Sequence, residues 1–240
     1  MSENVQAVDA HRLLDDFNAL ARELATQPDL PATLSAIVQR AVELVPNAMA
    51  AGITTRRTPA DKFETPAATG ELPMRVDEVQ YEFDEGPCVD SVEYGHRFIT
   101  GDVANDGRWP KFGPTAAERT GVASMLSQRL NLEDDDTLGA LNLYSTEADA
   151  FGEQDVRMMD LLTTHCAIAW ARARDRDEVV HLRAALKSNR RIGAAVGIVM
   201  AQFRVTEQQA FDLMRVASQH GNRKLRDVAD RIVETGLLEA

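Results

Sequence analysis

One stretch of the chain, residues 153–192, contains neither proline nor glycine and is the longest such stretch in the sequence. It predicts a helix of roughly 60 Å over 152–189, longer than a small globular domain needs for its own core. Its apolar positions are dense up to Trp170, sparse across 172–177, and resume at Val179. We therefore expect a projecting linker helix, covered by a coiled coil between two copies of the chain. The alternative is two shorter helices joined by a charged linker at 172–177.

The residues before this stretch show a mixed pattern of helices and strands. The fold class that they favour over residues 9–151 is α+β, with an antiparallel sheet flanked by helices. Apolar spacing and turn residues predict helices at 9–26, 32–45, 89–94 and 115–120, strands at 48–55, 76–83, 97–100, 123–130 and 137–144, and a loop at 58–73.

The charge of the chain is distributed unevenly along it. The net charge is -12, yet residues 181–240 contain ten Lys or Arg against six Asp or Glu. Between Lys187 and Arg226, eight basic side chains are accompanied only by Glu207 and Asp212. An acidic surface repels phosphates, so a concentration of basic residues predicts a separate module that binds a polyanion.

This basic segment, 182–240, also predicts a compact all-helical module of three helices. Thr206 has the sequence position of an N-cap, with Glu207 and Gln209 in the first turn. The helix that it starts ends near Gly221, and Asn222 is expected to cap the next one.

The run LRAALKSNRRIGAAVGIVMAQFRVTEQQAFDLMRVASQHGNRKLRDVADRIVETG, residues 182–236, resembles the ANTAR domain, an RNA-binding output module of bacterial antitermination regulators. Its pieces RRIG-x-A-x-GI-x-M, TE-x-x-AF-x-L and ASQ-x-x-NRKLRDVA occur in the order and spacing of that family. Val196 departs from the family pattern, because many members have a basic or polar residue there. The segments DEGPCVDSV (84–92) and DVANDGRWPKF (102–112) are similar to the GAF sensor domain that commonly precedes ANTAR.

The resemblance implies a dimer that binds a pair of RNA hairpins with six-base loops. Binding of that pair either prevents a terminator from forming or changes access to the message after transcription. RNA loops are recognised through splayed bases and phosphates, which suits short polar and basic side chains. Small residues at Ala194, Ala195 and Gly197 would allow RNA to come close to one helix face, and close packing of helices is the alternative for them. The candidate RNA-binding residues are Asn189, Arg190, Arg191, Ala194, Gly197, Ser218, Gln219, Asn222, Arg223, Lys224 and Arg226.

In the GAF-like segment, the candidate sensor residues are Cys88, Trp109, Phe112 and Tyr144, around an unidentified small-molecule ligand. Cys88 follows Gly86-Pro87 at the start of a short helix, where a lowered thiol pKa would make a redox sensor. Burial as a small apolar side chain is the alternative for Cys88, and core packing is the alternative for the three aromatic residues.

Several functional classes are not expected from the sequence. The five histidines lack the spacing of metal ligands, and two cysteines are too few for a disulfide framework. We expect no cofactor, no metal, no catalytic residues and no membrane span, and a location in the cytoplasm. A DNA-binding helix-turn-helix regulator and a cysteine-dependent methionine sulfoxide reductase are the competing hypotheses.

Overall fold

The structure is a computed structural model that describes residues 15–58, 60–130 and 138–238. The chain divides after Arg176 into two compact units, which we call the N-terminal unit and the C-terminal unit. The predicted start of the first helix at 9–14, the first residue of the last predicted strand and the acidic turn 133–136 lie outside the described residues.

Helices and strands follow one another in the order that an α+β domain requires. The helices are 15–26 (α1), Leu30–Leu44 (α2), Glu71–Phe83 (α3), Pro87–Tyr94 (α4), Phe112–Thr120 (α5), Glu153–Phe203 (α6), Glu207–His220 (α7) and Leu225–Thr235 (α8), with a 3-10 turn at Val103–Asn105. The strands are Ala50–Arg56 (β1), Glu64–Ala68 (β2), Arg97–Thr100 (β3), Ser124–Leu130 (β4) and Leu138–Ser145 (β5).

A five-stranded antiparallel sheet in the order β2-β1-β5-β4-β3 forms the middle layer of the N-terminal unit. Side chains alternate between the two faces of a strand, so the sheet serves two cores. Leu141 and Leu143 of β5 enter the core formed with α1, α2 and α6. Tyr144 enters the opposite core, formed with α3, α4 and α5. The predicted fold class, an antiparallel sheet flanked by helices, is therefore confirmed.

Two predictions for the N-terminal unit were wrong. Residues 76–83 form the second half of helix α3 and not a strand, because Val76 and Val79 are buried on one side at helical spacing. Pro73 in the first turn is compatible with a helix, and Asp84 ends it in a left-handed conformation (φ 53). The predicted loop at 58–73 contains β2, an edge strand that tolerates Pro66.

The C-terminal unit packs the end of α6 against α7 and α8, which confirms the three-helix module. Its core consists of Ala195, Val196, Val199, Ala210, Met214, Val228, Ala229 and Ile232. The capping box at Thr206 is present, since Thr206 and Gln209 each bond the other's backbone N–H. Val196, which departs from the ANTAR pattern, is a core residue here.

The boundaries inside this unit differ from the sequence prediction in two places. The long helix does not end at Asn189 but continues through Gly193 and Gly197 to Phe203. Asn222 is not the cap of α8, because its backbone is left-handed (φ 46) and Lys224 occupies the N-cap position. The first shift depends on packing of the end of α6 against α7 and α8, and the second accompanies the local hydrogen bonds of the turn 218–223.

Candidate nucleic-acid interface and sensor site

A buried carboxylate, Asp77 of α3, lies in the core between the sheet and helices α3 to α5. Tyr144 of β5 donates a hydrogen bond to Asp77 Oδ1 at 2.6 Å, and Thr65 of β2 donates to Oδ2 at 2.8 Å. Gln80 Nε2 donates to Oδ1 at 3.0 Å. One carboxylate therefore connects α3 to two strands. We define the Asp77 cluster as Thr54, Thr65, Asp77, Gln80, Tyr81, Cys88 and Tyr144.

Three ionisable side chains of the Asp77 cluster, Asp77, Tyr81 and Tyr144, have raised pKa values. Burial raises the pKa of Asp77 to about 6, although the hydrogen bonds from Tyr144 and Thr65 act in the opposite direction. Burial, together with the charge of Asp77, raises the pKa of Tyr81 and Tyr144, so both phenols stay protonated. Asp77 is accordingly the group of this cluster whose charge changes just below neutral pH.

Cys88 belongs to the same cluster and is fully buried. Its Sγ donates to Asp77 Oδ1 at 3.7 Å and lies 3.6 Å from Tyr144 Oη. Although Cys88 is in the first turn of α4, burial and the charge of Asp77 raise its thiol pKa well above the ordinary value. The thiolate is the reactive form of cysteine, so this environment favours the buried interpretation of Cys88 over the redox sensor.

The turn before Cys88 fits closely against α3. Gly86 has φ +139, and a Cβ there would lie 2.3 Å from Gln80 Oε1. The same oxygen accepts the backbone N–H of Cys88 at 2.8 Å. Glycine is needed at this position for its conformation and for the close approach of Gln80.

The two GAF-like motifs of the sequence contact each other. Trp109 Nε1 donates to Asp90 Oδ2 at 2.8 Å, and the backbone N–H of Lys111 donates to Glu85 Oε2 at 2.9 Å. Trp109 and Phe112 pack edge to face with ring centroids 6.5 Å apart. The structure thus brings the four predicted sensor residues together in one buried cluster: Cys88, Trp109, Phe112 and Tyr144.

The turn between α7 and α8 collects one group of the predicted RNA-binding residues. Ser218 Oγ donates to the backbone oxygen of Arg223 at 2.6 Å, and the Asn222 N–H donates to the Gln219 oxygen at 3.2 Å. These bonds hold the turn in shape. Its outer side chains are exposed to solvent: Gln219, Asn222, Arg223, Lys224 and Arg226.

A groove of about 700 Å³ adjoins this turn within the C-terminal unit. Apolar side chains from α6 and α7, including Phe203, Leu213 and Val216, line it, and Arg223 and His220 border it. Phe203 is 47% exposed and Val216 is 44% exposed. An apolar surface therefore lies beside the basic turn.

A second group of predicted residues lies on one face of α6. Arg190, Ala194 and Gly197 recur at helical spacing and are exposed, as is Asn189. A Cβ added at Gly197 would meet no atom within 4 Å. Ala195 is not part of this face, contrary to the sequence interpretation, because it is fully buried in the core.

Arg191 differs from the other basic candidates in its contacts. Its guanidinium pairs with Asp230 at 2.5 Å and with Glu234 at 3.5 Å, both on α8. These ion pairs hold α6 against α8 and offset the charge of Arg191. For Arg223 and Lys224, the structure shows no ion pair among its described residues.

Comparison with protein-family models matches residues 27–171 to the GAF domain and residues 180–233 to the ANTAR domain. The chain belongs to the GAF domain family and carries an ANTAR domain. Both are regulatory domains, and the resemblance inferred from the two sets of motifs is confirmed. A comparison with curated proteins finds no match.

Solved structures similar to the chain include GAF domains and a reductase. The GAF domain of a phosphoenolpyruvate-protein phosphotransferase from Coxiella burnetii has a TM-score of 0.55 at 21% identity, covering 70% of this chain and 98% of that one. The corresponding Acinetobacter domain has a TM-score of 0.54 at 14% identity, covering 69% and 96%. A free methionine-R-sulfoxide reductase from Neisseria meningitidis has a TM-score of 0.52 at 18% identity, covering 65% and 87%. At these identities the likeness shows the fold alone.

Sequence reasoning missed Asp77 and Gln80 as site residues. It had placed them on a strand, where their i, i+3 spacing has no meaning, whereas on α3 both side chains are buried and face Cys88. The signal that could have found them is a charged residue between two buried valines of a helix.

Among the described residues, no helix is long and apolar enough to cross a membrane.

Proposed function

We propose that the protein is a dimeric regulator of gene expression that binds paired RNA hairpin loops and so controls transcription termination. In this proposal, residues 9–151 sense a signal, 152–189 link the domains and 182–240 bind RNA in the cytoplasm, and the chain catalyses no reaction. The observation that carries the proposal is the exposed basic turn 218–226 in a segment that matches the ANTAR domain.

The turn offers the two kinds of contact that an RNA loop requires. Arg223 and Lys224 are exposed cations suited to phosphates, while Gln219 and Asn222 present amides suited to base edges. Loop bases that leave the stack need an apolar or aromatic surface, and the groove beside Arg223 provides one. The turn would therefore contact both the backbone and the bases of a loop.

The face of α6 that contains Arg190, Ala194 and Gly197 supports a second contact. Side chains at 194 and 197 are small and exposed, so a phosphate backbone can approach the helix closely. Arg191 would contribute less than its neighbours, because reaching RNA would cost its ion pairs with Asp230 and Glu234.

In the GAF domain, a small-molecule ligand would act on the core that contains Cys88, Trp109, Phe112 and Tyr144. These side chains pack against one another, so an entering ligand has to change their packing. The Asp77 cluster would transmit that change, since it connects α3, α4 and two strands.

The proposal is tested by removing one cation at a time from the ANTAR domain. Lys224→Ala should weaken binding to a hairpin RNA about fivefold to tenfold and lower the salt slope of log K by about 0.7, as expected for one lost phosphate contact. Arg215→Ala is the matched control, because Arg215 is paired with Asp212 at 3.1 Å outside the turn. Fluorescence anisotropy at several salt concentrations measures both quantities. Equal losses in the two variants would contradict the assigned interface.

A DNA-binding function is the second candidate, favoured by one observation. Helices α7 and α8 are joined by the short turn 221–224, a layout that also occurs in helix-turn-helix proteins. Duplex DNA should bind more weakly than hairpin RNA at the same salt concentration if the RNA proposal holds.

A reductase function like that named for the Neisseria structure is disfavoured by the burial of both Cys88 and Cys166.

A further inference from the structure

Strand β2 is attached to the rest of the GAF domain by few contacts. It lies at the edge of the sheet, and Pro66 at its centre has no backbone N–H to donate. Its pairing with β1 shifts register between Ile53 and Thr55. Of its five residues, only Ala67 is buried. Separation of β2 from the domain therefore costs less free energy than separation of a central strand.

Thr65 of β2 links the buried carboxylate of Asp77 to the surface. Its Oγ1 donates to Asp77 Oδ2 at 2.8 Å and lies 2.8 Å from Tyr81 Oη, which in turn donates to Thr54 Oγ1 at 3.3 Å. Asp77 and Thr54 are fully buried, whereas Thr65 and Tyr81 are partly exposed. The hydroxyls of Thr65 and Tyr81 therefore form a route along which Asp77 can exchange a proton with water.

The groups that face Asp77 from the neighbouring elements are neutral. They are the hydroxyls of Thr54 on β1, Thr65 on β2 and Tyr144 on β5, the thiol of Cys88 on α4, and Gln80 and Tyr81 on α3 itself. Burial and the charge of Asp77 raise the pKa of the cysteine and of both tyrosines, so all three stay protonated. Charged side chains on the same elements and on α5 pair with one another, as Arg56 does with Glu93 and Arg119 with Glu82. Asp77 therefore has no cationic partner among the residues that the structure describes.

We propose that ionisation of Asp77 favours an open form of the GAF domain, in which β2 separates from α3, and that protonation of Asp77 favours the closed form. A buried carboxylate without a cationic partner is costly to ionise, and separation of β2 removes Thr65 and lets water reach it. The proton leaves Asp77 for the solvent. The inference rests on the proposed sensing role of residues 9–151 and deepens it by naming the proton as a signal.

The direction of the response follows from the two protonation equilibria of Asp77. In the closed form, burial raises its pKa to about 6, and in contact with water the pKa returns toward 3.8. The form with the lower pKa is favoured as pH rises, because it binds fewer protons. The equilibrium constant for opening should therefore increase about tenfold between pH 5 and pH 7.

Hydrogen exchange of the full-length protein without RNA tests this response. The reporters are the amides of Ala67, which pairs with Ile53, and of Thr69, which donates to the Ala51 oxygen at 2.9 Å. Their protection factors, corrected for the intrinsic pH dependence of exchange, should fall about tenfold from pH 5 to pH 7. Dilute urea should leave them unchanged, since local opening exposes little surface. Amides of the central strand β5 should respond to urea, because they exchange through global unfolding.

Two variants with the same substitution separate Asp77 from buried carboxylates in general. Asp77→Asn keeps the size of the side chain and removes its charge, so the protection factors of Ala67 and Thr69 should no longer depend on pH. Asp155→Asn is the matched control, because Asp155 is also buried but binds Asn47 and the backbone N–H of Gly152 at the start of α6. This variant should keep the tenfold change.

A carboxyl titration of the wild type tests the proposal without relying on a variant. The NMR signal of the Asp77 carboxyl carbon should titrate with a midpoint near pH 6. Tyr144→Phe should raise this midpoint, because the ionised form loses a hydrogen bond of 2.6 Å.

Four results would each overturn the proposal. They are a midpoint near 3.8, protection factors of β2 that do not change with pH, the same pH dependence in Asp77→Asn as in the wild type, and exchange of the β2 amides through global unfolding alone. None of these measurements contains RNA, so failure of the RNA proposal would leave their results unchanged.

Discussion

Asp77 places an ionisable group in a core of apolar and neutral polar side chains. Burial raises its pKa from 3.8 to about 6 in the folded state. A carboxyl with a raised folded pKa contributes stability below pH 4, and this contribution is lost as pH rises through 6. The folded GAF domain therefore has an internal cost at neutral pH that originates at one residue.

Replacement of Asp77 by Asn tests this assignment. Compared with Asp77→Asn, the wild type should lose about 3 kcal/mol of unfolding free energy between pH 4 and pH 7. The surrounding hydroxyls of Thr54 and Thr65 can rotate to accept from the new amide, so the variant should fold. Urea unfolding at several pH values measures the difference, and parallel pH profiles for the two proteins would refute the assignment.

The two cysteines lead to a second prediction at the residue scale. Both Cys88 and Cys166 are fully buried, and burial raises both thiol pKa values. A thiol reagent such as an aromatic disulfide should modify neither residue quickly in the native protein, and both at once in denaturant. Rapid native labelling of Cys88 would restore the redox-sensor hypothesis. Cys88→Ser should retain any ligand response of the GAF domain.

Single residues were predictable from the sequence where their role is local. Thr206 caps α7 as expected, because its partner Gln209 is three residues away. Arg191 could not be separated from Arg190 in the same way, since the carboxylates that pair with it belong to α8, 39 and 43 residues later. Asp77 was missed for a similar reason, as its main partner Tyr144 is 67 residues distant.

At the element scale, helices and strands were predicted correctly where cap or turn residues mark their ends in the sequence. Helix α2 has Asp29 as a side-chain cap and Pro31 in its first turn, and strands β3 to β5 are bounded by turn residues. These signals stand next to the elements that they define. Helix α3 begins at Glu71, and its N-cap Gly70 makes no side-chain cap bond. Without a start signal, the strand prediction for 76–83 rested on the alternation of apolar residues alone. The sequence predicted a loop where edge strand β2 lies, because Pro66 suggests a break in regular structure. Proline is excluded only from central strands, and β2 is at the edge of the sheet.

The exposed face of α6 allows a test that separates stability from binding. Gly197→Ala should stabilise the helix by about 0.5 to 1 kcal/mol, since helical Gly is costly and the added methyl meets no neighbour. If RNA approaches this face, the same change should weaken RNA binding severalfold. Ser188→Ala, on the opposite face, should leave binding unchanged. Thermal unfolding measures the change in stability, and fluorescence anisotropy measures the change in RNA affinity. Unchanged RNA affinity in Gly197→Ala would show that this face of α6 does not contact RNA.

At the scale of the whole molecule, the distribution of charge agrees with separate roles for the two domains, with nucleic-acid binding assigned to the ANTAR domain. Residues 181–240 carry ten basic and six acidic side chains, whereas the chain as a whole has a net charge of -12. An acidic GAF domain disfavours non-specific binding of nucleic acid, and the ANTAR domain confines the attraction to a small surface. In the proposed function, specificity comes from holding two RNA loops at once, which needs two copies of the ANTAR domain.

The most direct measurement is a titration of the full-length protein with a dual-hairpin RNA, each single hairpin and a duplex DNA, all at one salt concentration. The account predicts that two chains bind one dual-hairpin RNA, with an affinity at least about 100-fold above that for a single hairpin, because the second loop binds intramolecularly. Duplex DNA should bind least. Equal affinity for all three, or one chain per dual-hairpin RNA, would contradict the account.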